Sequence, residues 1–482
     1  MSVDLSRGVT AAVAAAVAVV ALSACAFHAD LKPLPSASNP ALSLEHTVAQ
    51  AGGGAWPEQQ WWRIFGDPQL ESLIAEGLAA SPSMEAALAR LDAARVRLGS
   101  ARAALLPGVA ADLSAIRSRY SENGFFPPPL GGKTLWEYKG DVDLRWELDF
   151  WGRQRSALQA ARKNAQAAAV DRAGAELMLS ESIARRYIEW QQLEDQLEIS
   201  RAFIEQRQRL FDLTDKRVRA GLDTNVELRQ AEASLPDARA SVTALEGQVA
   251  VLRIELAALL GAGPDRALTL TAPNLRSPEA LLALPTLIPA ELLARRPDVI
   301  SMRLRAEGAA SQADAARADL LPNINLAAVF GFDSTDLDNW ARYGSRFYNA
   351  GPSLKLPIFN TGRHAALTLR TANYDEAAAA YRQTLIDAVK DVASALTELR
   401  AADAQQRDAA SAVNAEAAAY EIAQHRYQVG LDAYTQVLLS EARLLGQRQR
   451  VADLNARKLD ASVRLIAALG GGLPAQKLTK SE

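Results

Sequence analysis

The second half of this chain repeats the first. Ala101-Arg102-Ala103-Ala104-Leu105-Leu106-Pro107 returns as Ala316-Arg317-Ala318-Asp319-Leu320-Leu321-Pro322, six matches in seven at an offset of 215. Gly221-Leu222-Asp223 returns as Gly430-Leu431-Asp432 and Leu260-Gly261 as Leu469-Gly470, both offset by 209. Such self-similarity means that one structural unit is used twice. Each unit runs through a short helix, a Leu-Leu-Pro stop, an alternating segment and two long helices around a Gly-Leu turn.

The two copies contain different periodicities. From Arg153 to about Arg219 there is no proline, and Ile183, Trp190, Leu197, Ile204, Phe211 and Val218 recur every seven residues. After Gly221 the pattern restarts at Leu228, Leu235, Val242, Val249 and Leu256, and a looser version runs from Val392 to Leu465. A seven-residue repeat keeps one seam of a helix against a neighbour. A helix of some 65 residues would extend for roughly 100 Å. On their own, these helices fit a plain coiled-coil spacer. Pro236, inside the first descending helix, is expected to kink it, because proline removes a backbone donor.

In the segment from Gly140 to Trp151, Val142, Leu144, Trp146, Leu148 and Phe150 alternate with Asp141, Asp143, Arg145, Glu147 and Asp149. This is period two with one face charged throughout, so that face requires water. Ile324, Leu326, Ala328, Phe330 and Phe332 form a second apolar row, and Val109, Ala111 and Leu113 a third. Tyr348, Ala350, Leu354, Leu356 and Ile358 form a fourth, interrupted by Pro352. Four strands of about ten residues have the length that crosses an outer membrane at a tilt. Four strands cannot close a barrel, and an open edge is not tolerated in lipid, so several chains must contribute. Ser121 to Leu135 and Asp333 to Arg346 read as the exposed loops between paired strands.

The composition limits the function classes. The chain has 482 residues, 49% hydrophobic and 23% charged, with a net charge of -3, which shows no bias toward nucleic acid. Its four histidines lie far apart, and its single cysteine, Cys25, cannot form an intrachain disulfide. There is no phosphate loop, nucleophile elbow or metal-ligand spacing, so neither a cofactor nor an enzyme activity is expected. Val9 to Leu22 is apolar and about 14 residues long, right for a secretory h-region and too short for a typical membrane span. It ends in Leu22-Ser23-Ala24-Cys25, which resembles the bacterial lipoprotein signal, in which the cysteine is acylated; an ordinary signal peptide with an incidental cysteine is the alternative. In lipoproteins, a residue other than Asp after the cysteine, here Ala26, generally favours passage to the outer membrane. No other segment has 18 uninterrupted apolar residues.

Two segments carry a family resemblance: Trp61-Trp62-Arg63-Ile64-Phe65-Gly66-Asp67-Pro68-Gln69-Leu70 and Ile288-Pro289-Ala290-Glu291-Leu292-Leu293-Ala294-Arg295-Arg296-Pro297-Asp298. With Phe150-Trp151-Gly152-Arg153 and Asn360-Thr361-Gly362-Arg363, the mature chain resembles the outer-membrane efflux factors, the TolC-like exit ducts, and more closely their lipoprotein branch. The resemblance implies a mainly α fold with a transmembrane β-barrel. A homotrimer would close a 12-strand barrel, continued by an α-helical barrel in the periplasm. It also implies a bacterial outer-membrane location, a periplasmic adaptor and an inner-membrane pump of the RND type as partners, and no cofactor. The expected organisation is a signal peptide over 1–24, an acylated linker over 25–55, repeats over 56–262 and 298–470, a belt linker over 263–297, and a tail over 471–482.

By the same resemblance, the turns carry the tips that meet the adaptor: Arg217, Gly221 and Leu222, then Arg426, Gly430 and Leu431. Gly at these positions is also what any helix ending in a left-handed residue requires. Tyr427 sits at the family's gating tyrosine position and Glu227 at an Asp position that can bond it, so a Tyr427–Glu227 hydrogen bond holding the duct shut is the expected gate. A heptad-seam aromatic is the other reading of Tyr427. The family's acidic ring is not reproduced at Gln436 and Leu439, while Asp432 and Glu441 lie nearby. The implied function is export of small toxic compounds. A duct for metal ions or secreted protein, and a non-conducting periplasmic scaffold, are the alternatives. The charged strand face argues against the scaffold.

Overall fold

A computed structural model describes Leu31, Pro33, Leu34 and residues 56–276 and 295–473. The signal segment, Cys25, the 288–294 part of the second family motif and residues 474–482 lie outside the described residues. The chain divides into two compact units, and each draws on both halves of the repeat. One comprises Met1–Leu34, Ala94–Ala165 and Leu304–Ala380; the other comprises Pro35–Ala93, Gln166–Arg303 and Tyr381–Glu482.

The first half contains α1 (Pro68–Ala80), α2 (Pro82–Ala103), β1 (Gly108–Arg119), β2 (Thr134–Leu148), α3 (Arg153–Arg219) and α4 (Asn225–Leu259). The second contains α5 (Pro297–Ala318), β3 (Asn323–Ser334), β4 (Arg346–Lys355), α6 (Thr361–Gln428) and α7 (Tyr434–Ala468). The duplication is visible in the lengths. Helices α2 and α5 each have 22 residues, α3 and α6 have 67 and 68, and α4 and α7 have 35 each. Pro236 lies inside α4, which runs on both sides of it.

In the first unit, the strands form one antiparallel sheet in the order β1-β2-β3-β4. Its register places Leu113 opposite Gly140 and Gly140 opposite Phe332, and joins Val109, Leu144, Ala328 and Ala350 in another row. The apolar residues therefore share one face, since alternate side chains of a strand point the same way. That face is open: Leu113 is 81% exposed and Tyr348 74%. On the other face the Asp141 and Asp143 side chains are only 11% and 14% exposed, paired with Lys139 at 3.4 Å and Arg145 at 2.7 Å. A sheet dissolved in water would place these faces the other way round, so the apolar face belongs against lipid.

Two expected apolar rows overrun their strands. Phe150 lies beyond β2, because Asp149 turns the chain by accepting from the Gln154 and Arg155 backbone N–H groups at 3.0 and 2.9 Å. Leu356 and Ile358 lie beyond β4. Among the described residues, no helix is long and apolar enough to cross a membrane. A Leu113→Arg variant is expected to lose about 2–4 kcal/mol of membrane-inserted stability if its site lies near the midplane. Heat-resistant trimer on a gel measures this; an undiminished yield would contradict the lipid-facing assignment.

The second unit is built on helical seams. The Trp61-Trp62-Arg63-Ile64-Phe65 turn packs its rings edge to face, with Trp61–Trp62 centroids 5.7 Å apart. Together with Leu70, Leu73 and Ile74 they join a buried cluster with Ile183, Tyr187 and Trp190 of α3, Leu252 and Leu256 of α4, and Val463 and Ile466 of α7. Asp67 caps α1 by accepting from the Gln69 backbone N–H at 2.8 Å, and also accepts from the Tyr187 hydroxyl at 2.7 Å. The family motif is thus a wedge that locks a helix start to α3. The seam in α3 shifts along its length. Ile183, Trp190 and Leu197 are buried, and beyond them the fully buried places pass to Phe203 and Leu210, one position before the expected Ile204 and Phe211.

Candidate functional site

Helices α3 and α4 meet at the turn around Gly221, and α6 and α7 at the turn around Gly430. Both glycines are left-handed, with φ of +75° and +78°. An added Cβ would meet nothing within 4 Å at either, so conformation rather than crowding selects glycine. In both turns the residue after glycine reaches back to the helix. Leu222 N–H donates to Arg217 C=O at 2.9 Å, and Leu431 N–H to Arg426 C=O at 2.8 Å. This is the Schellman closure, and it satisfies a carbonyl that the helix end leaves open.

A polar device accompanies each turn. Arg217 and Asp223 flank Gly221, and Arg426 and Asp432 flank Gly430 at the same spacing. Arg217 Nε and Nη2 donate to the two Asp223 carboxylate oxygens at 2.9 and 3.2 Å. Arg426 Nε donates to Asp432 Oδ2 at 3.1 Å. The second pair is half in solvent, whereas the Arg217 and Asp223 side chains are each 11% exposed.

Tyr427 accounts for the difference. From the end of α6 its hydroxyl donates to Asp223 Oδ2 at 2.5 Å and lies 3.0 Å from Thr214 Oγ1 of α3. The Arg217 guanidinium stacks 4.7 Å from the Tyr427 ring centroid, and its Nη1 donates to Gln428 C=O at 3.2 Å. The two hairpins are therefore tied together beside the turns by one tyrosine, one carboxylate and one guanidinium. Tyr427 is 1% exposed, and its ring joins a buried cluster with Phe203, Leu210, Tyr420, Tyr434, Val437 and Leu444. It is both a seam aromatic and a hydrogen-bond donor.

The expected Tyr427–Glu227 bond is not formed. Glu227 completes a capping box at the start of α4, where its carboxylate accepts from the Thr224 backbone N–H at 3.0 Å. That engagement closes the orphan donors of the helix start and leaves the tyrosine to Asp223. Asp223 was within reach of sequence reasoning, since Arg217…Asp223 and Arg426…Asp432 repeat with the glycines. Asp432 and Glu441 do not supply the absent acidic ring as free carboxylates: Asp432 pairs with Arg426, and Glu441 is buried.

The electrostatics hold this arrangement over a wide pH range. The hydrogen bonds from Arg217 hold the Asp223 carboxyl below its ordinary value, while burial and the neighbouring Asp223 push the Tyr427 hydroxyl up to about 12. A depressed carboxyl contributes above its ordinary pKa and is lost as pH falls through the depressed one. A raised phenol contributes below its ordinary pKa and is lost as pH rises through the raised one. The Tyr427–Asp223 bond is therefore expected to hold from about pH 5 to about pH 10. Ultraviolet titration of the wild type against Tyr427→Phe checks this, and a Tyr427 midpoint near neutrality would contradict it.

Residues 73–262 and 288–471 match the outer membrane efflux protein family. The chain belongs to the outer membrane efflux protein family. It is 34% identical to the fusaric acid resistance protein FusA of Burkholderia cepacia, over 75% of this chain and 69% of that one. It is 31% identical to the pyoverdine export outer membrane protein OpmQ of Pseudomonas putida, over 96% and 98%. Its fold matches the crystal structure of the outer membrane protein VceC from Vibrio cholerae with a TM-score of 0.81, at 33% identity, covering 87% of this chain and 100% of that one. Family and fold are those of outer-membrane efflux channels, which are homotrimers working with adaptor proteins and inner-membrane pumps. Export, the outer-membrane location and the helical part in the periplasm follow from that membership.

Proposed function

We propose that this chain is a passive exit duct, without a reaction of its own, through which a pump of the RND type expels small organic toxic compounds. Its entrance is held shut by the Tyr427–Asp223–Arg217 latch. The observation that carries the gate is the bond from the Tyr427 hydroxyl of one hairpin to the Asp223 carboxylate of the other. A phenylalanine would fill the same seam place, so packing alone does not account for the hydroxyl and the carboxylate it reaches. The cargo class follows the names of the relatives, which concern fusaric acid resistance and pyoverdine export.

The turns are the adaptor contact in this reading. Leu222 and Leu431 stand 65% and 67% exposed beside the two glycines, with Arg426 half exposed next to them. Exposed leucines at the two equivalent turns give a repeated apolar foothold that a partner's turns could cover. Arg217, Gly221, Gly430 and Arg426 shape those turns. Drug susceptibility of cells carrying Leu222→Asp with Leu431→Asp tests the contact. Loss of resistance with intact trimer supports it, and full resistance refutes it.

Cys25 is the proposed acylation site after removal of 1–24. Its sequence context, Leu22-Ser23-Ala24-Cys25, carries that assignment. Mass spectrometry of the purified protein should find an acylated N-terminal cysteine, and Cys25→Ser should abolish that mass. An unmodified Cys25, or processing elsewhere, would count against it.

A further inference from the structure

Farther from the turns lies a second link between the hairpins. Arg207 of α3 directs Nε to Glu441 Oε2 of α7 at 3.1 Å and Nη1 to the Ser234 carbonyl of α4 at 3.0 Å. Glu441 is wholly buried, and the Arg207 side chain is 17% exposed. Each charge sits where an apolar seam residue would fit: Arg207 lies between Phe203 and Leu210 on α3, and Glu441 between Val437 and Leu444 on α7. Those four residues are themselves buried in one cluster with Tyr420 and Tyr434.

An ion pair in such a place adds little to stability compared with apolar side chains of similar size. Its best-attested use is to select one arrangement of helices, because any slip leaves a charge buried without its partner. The arrangement here is specific. One guanidinium holds a carboxylate on the second hairpin and a backbone carbonyl on the first, at a turn of α4 that also contains Pro236. Among the described residues, Glu441 Oε1 and the Tyr420 hydroxyl have no hydrogen-bond partner, so the bond to the Glu441 carboxylate is the one from Arg207.

We propose that Arg207 and Glu441 are positioning residues: a buried clamp that fixes the pairing of the two hairpins and confines entrance opening to the turns beyond it. The clamp is set back from the turns. At about 1.5 Å per residue, Arg207 stands roughly 20 Å from Gly221 along α3, and Glu441 roughly 16 Å from Gly430 along α7. Release of Tyr427 then frees only the ends of the helices, while the clamp keeps the seam above them closed. The clamp rests on the latch reading for its role in opening, and the test separates the two.

The test compares single-channel conductance of purified trimers in planar bilayers. The wild type is set against Tyr427→Phe/Asp223→Ala, against Glu441→Gln, and against the three substitutions together. The clamp predicts that the triple variant conducts at least about twofold more than the latch variant, as the shared barrier to wider opening is removed. Equal conductance in the triple and latch variants overturns it. If the latch variant equals wild type, the latch fails; Glu441→Gln alone then decides the clamp, which stands if conductance rises and falls if it does not. Should Glu441→Gln not assemble, Arg207→Met/Glu441→Met removes the directional link without leaving a lone buried charge and is read in the same way. Heat stability of each trimer is recorded alongside, because a merely structural pair would change that quantity and leave conductance unchanged.

Discussion

Tyr427→Phe combined with Asp223→Ala is expected to raise the resting conductance of the trimer several-fold. The tyrosine donates to an ionised carboxylate, and a hydrogen bond to a charged group contributes about 1.5–3 kcal/mol. Removing it from every protomer shifts the balance toward the released arrangement by roughly ten- to a hundredfold per protomer. Asp223→Ala also leaves Arg217 without its carboxylate, so the guanidinium has less reason to stay over the Tyr427 ring at 4.7 Å. Glu227→Ala is the informative control. Its carboxylate serves the helix start, so the substitution should loosen the first turn of α4 and leave conductance unchanged. The opposite ranking, with Glu227→Ala opening the duct and Tyr427→Phe/Asp223→Ala silent, would show that the gate lies elsewhere.

The second large effect is expected at Arg296. Its side chain is 10% exposed and makes ion pairs with Asp298 at 2.7 Å and Asp391 at 3.2 Å. Its Nη1 donates to the carbonyl of Ala468, the last residue of α7, at 3.3 Å. One guanidinium therefore joins the start of α5, the middle of α6 and the end of α7. Arg296→Met keeps much of the side-chain length but removes all of these bonds. The expected loss is about 2–4 kcal/mol, toward the lower side of the range for breaking a buried pair because both aspartates retain contact with water. The midpoint of thermal trimer dissociation measures it, and a shift under about 1 °C would contradict the assignment.

Much of this architecture was legible because it rests on period. The Leu-Leu-Pro repeat marks where α2 and α5 stop, and alternation in Gly140 to Trp151 marks β2. What periodicity could not give was the ends. Phe150 continues the alternation in sequence, but Asp149 accepts from two backbone N–H groups and starts α3 instead. The seam slip from Leu197 to Phe203 was hidden for a related reason. A seven-residue repeat drifts against 3.6 residues per turn over a helix of 67 residues, and packing chooses where to correct it.

The site was legible in part. The glycines were found from their place in the repeat and Tyr427 from the family resemblance, but the partner of Tyr427 was not. A carboxylate six residues after glycine and one two residues after it look alike in a sequence. What separates them is the capping box at Thr224, which occupies Glu227. The duplication held the missing signal, since Arg217…Asp223 recurs as Arg426…Asp432. Glu441 could not be placed at all without the structure, because a charge on a seam reads as a charge on a surface.

Conductance of the mature wild-type protein is the most direct test of the duct. Purified trimer added to a planar bilayer should give discrete steps that are small at rest and stay flat across neutral pH. A protein that remains silent, as a soluble oligomer without insertion, would contradict both the lipid-facing sheet and the duct.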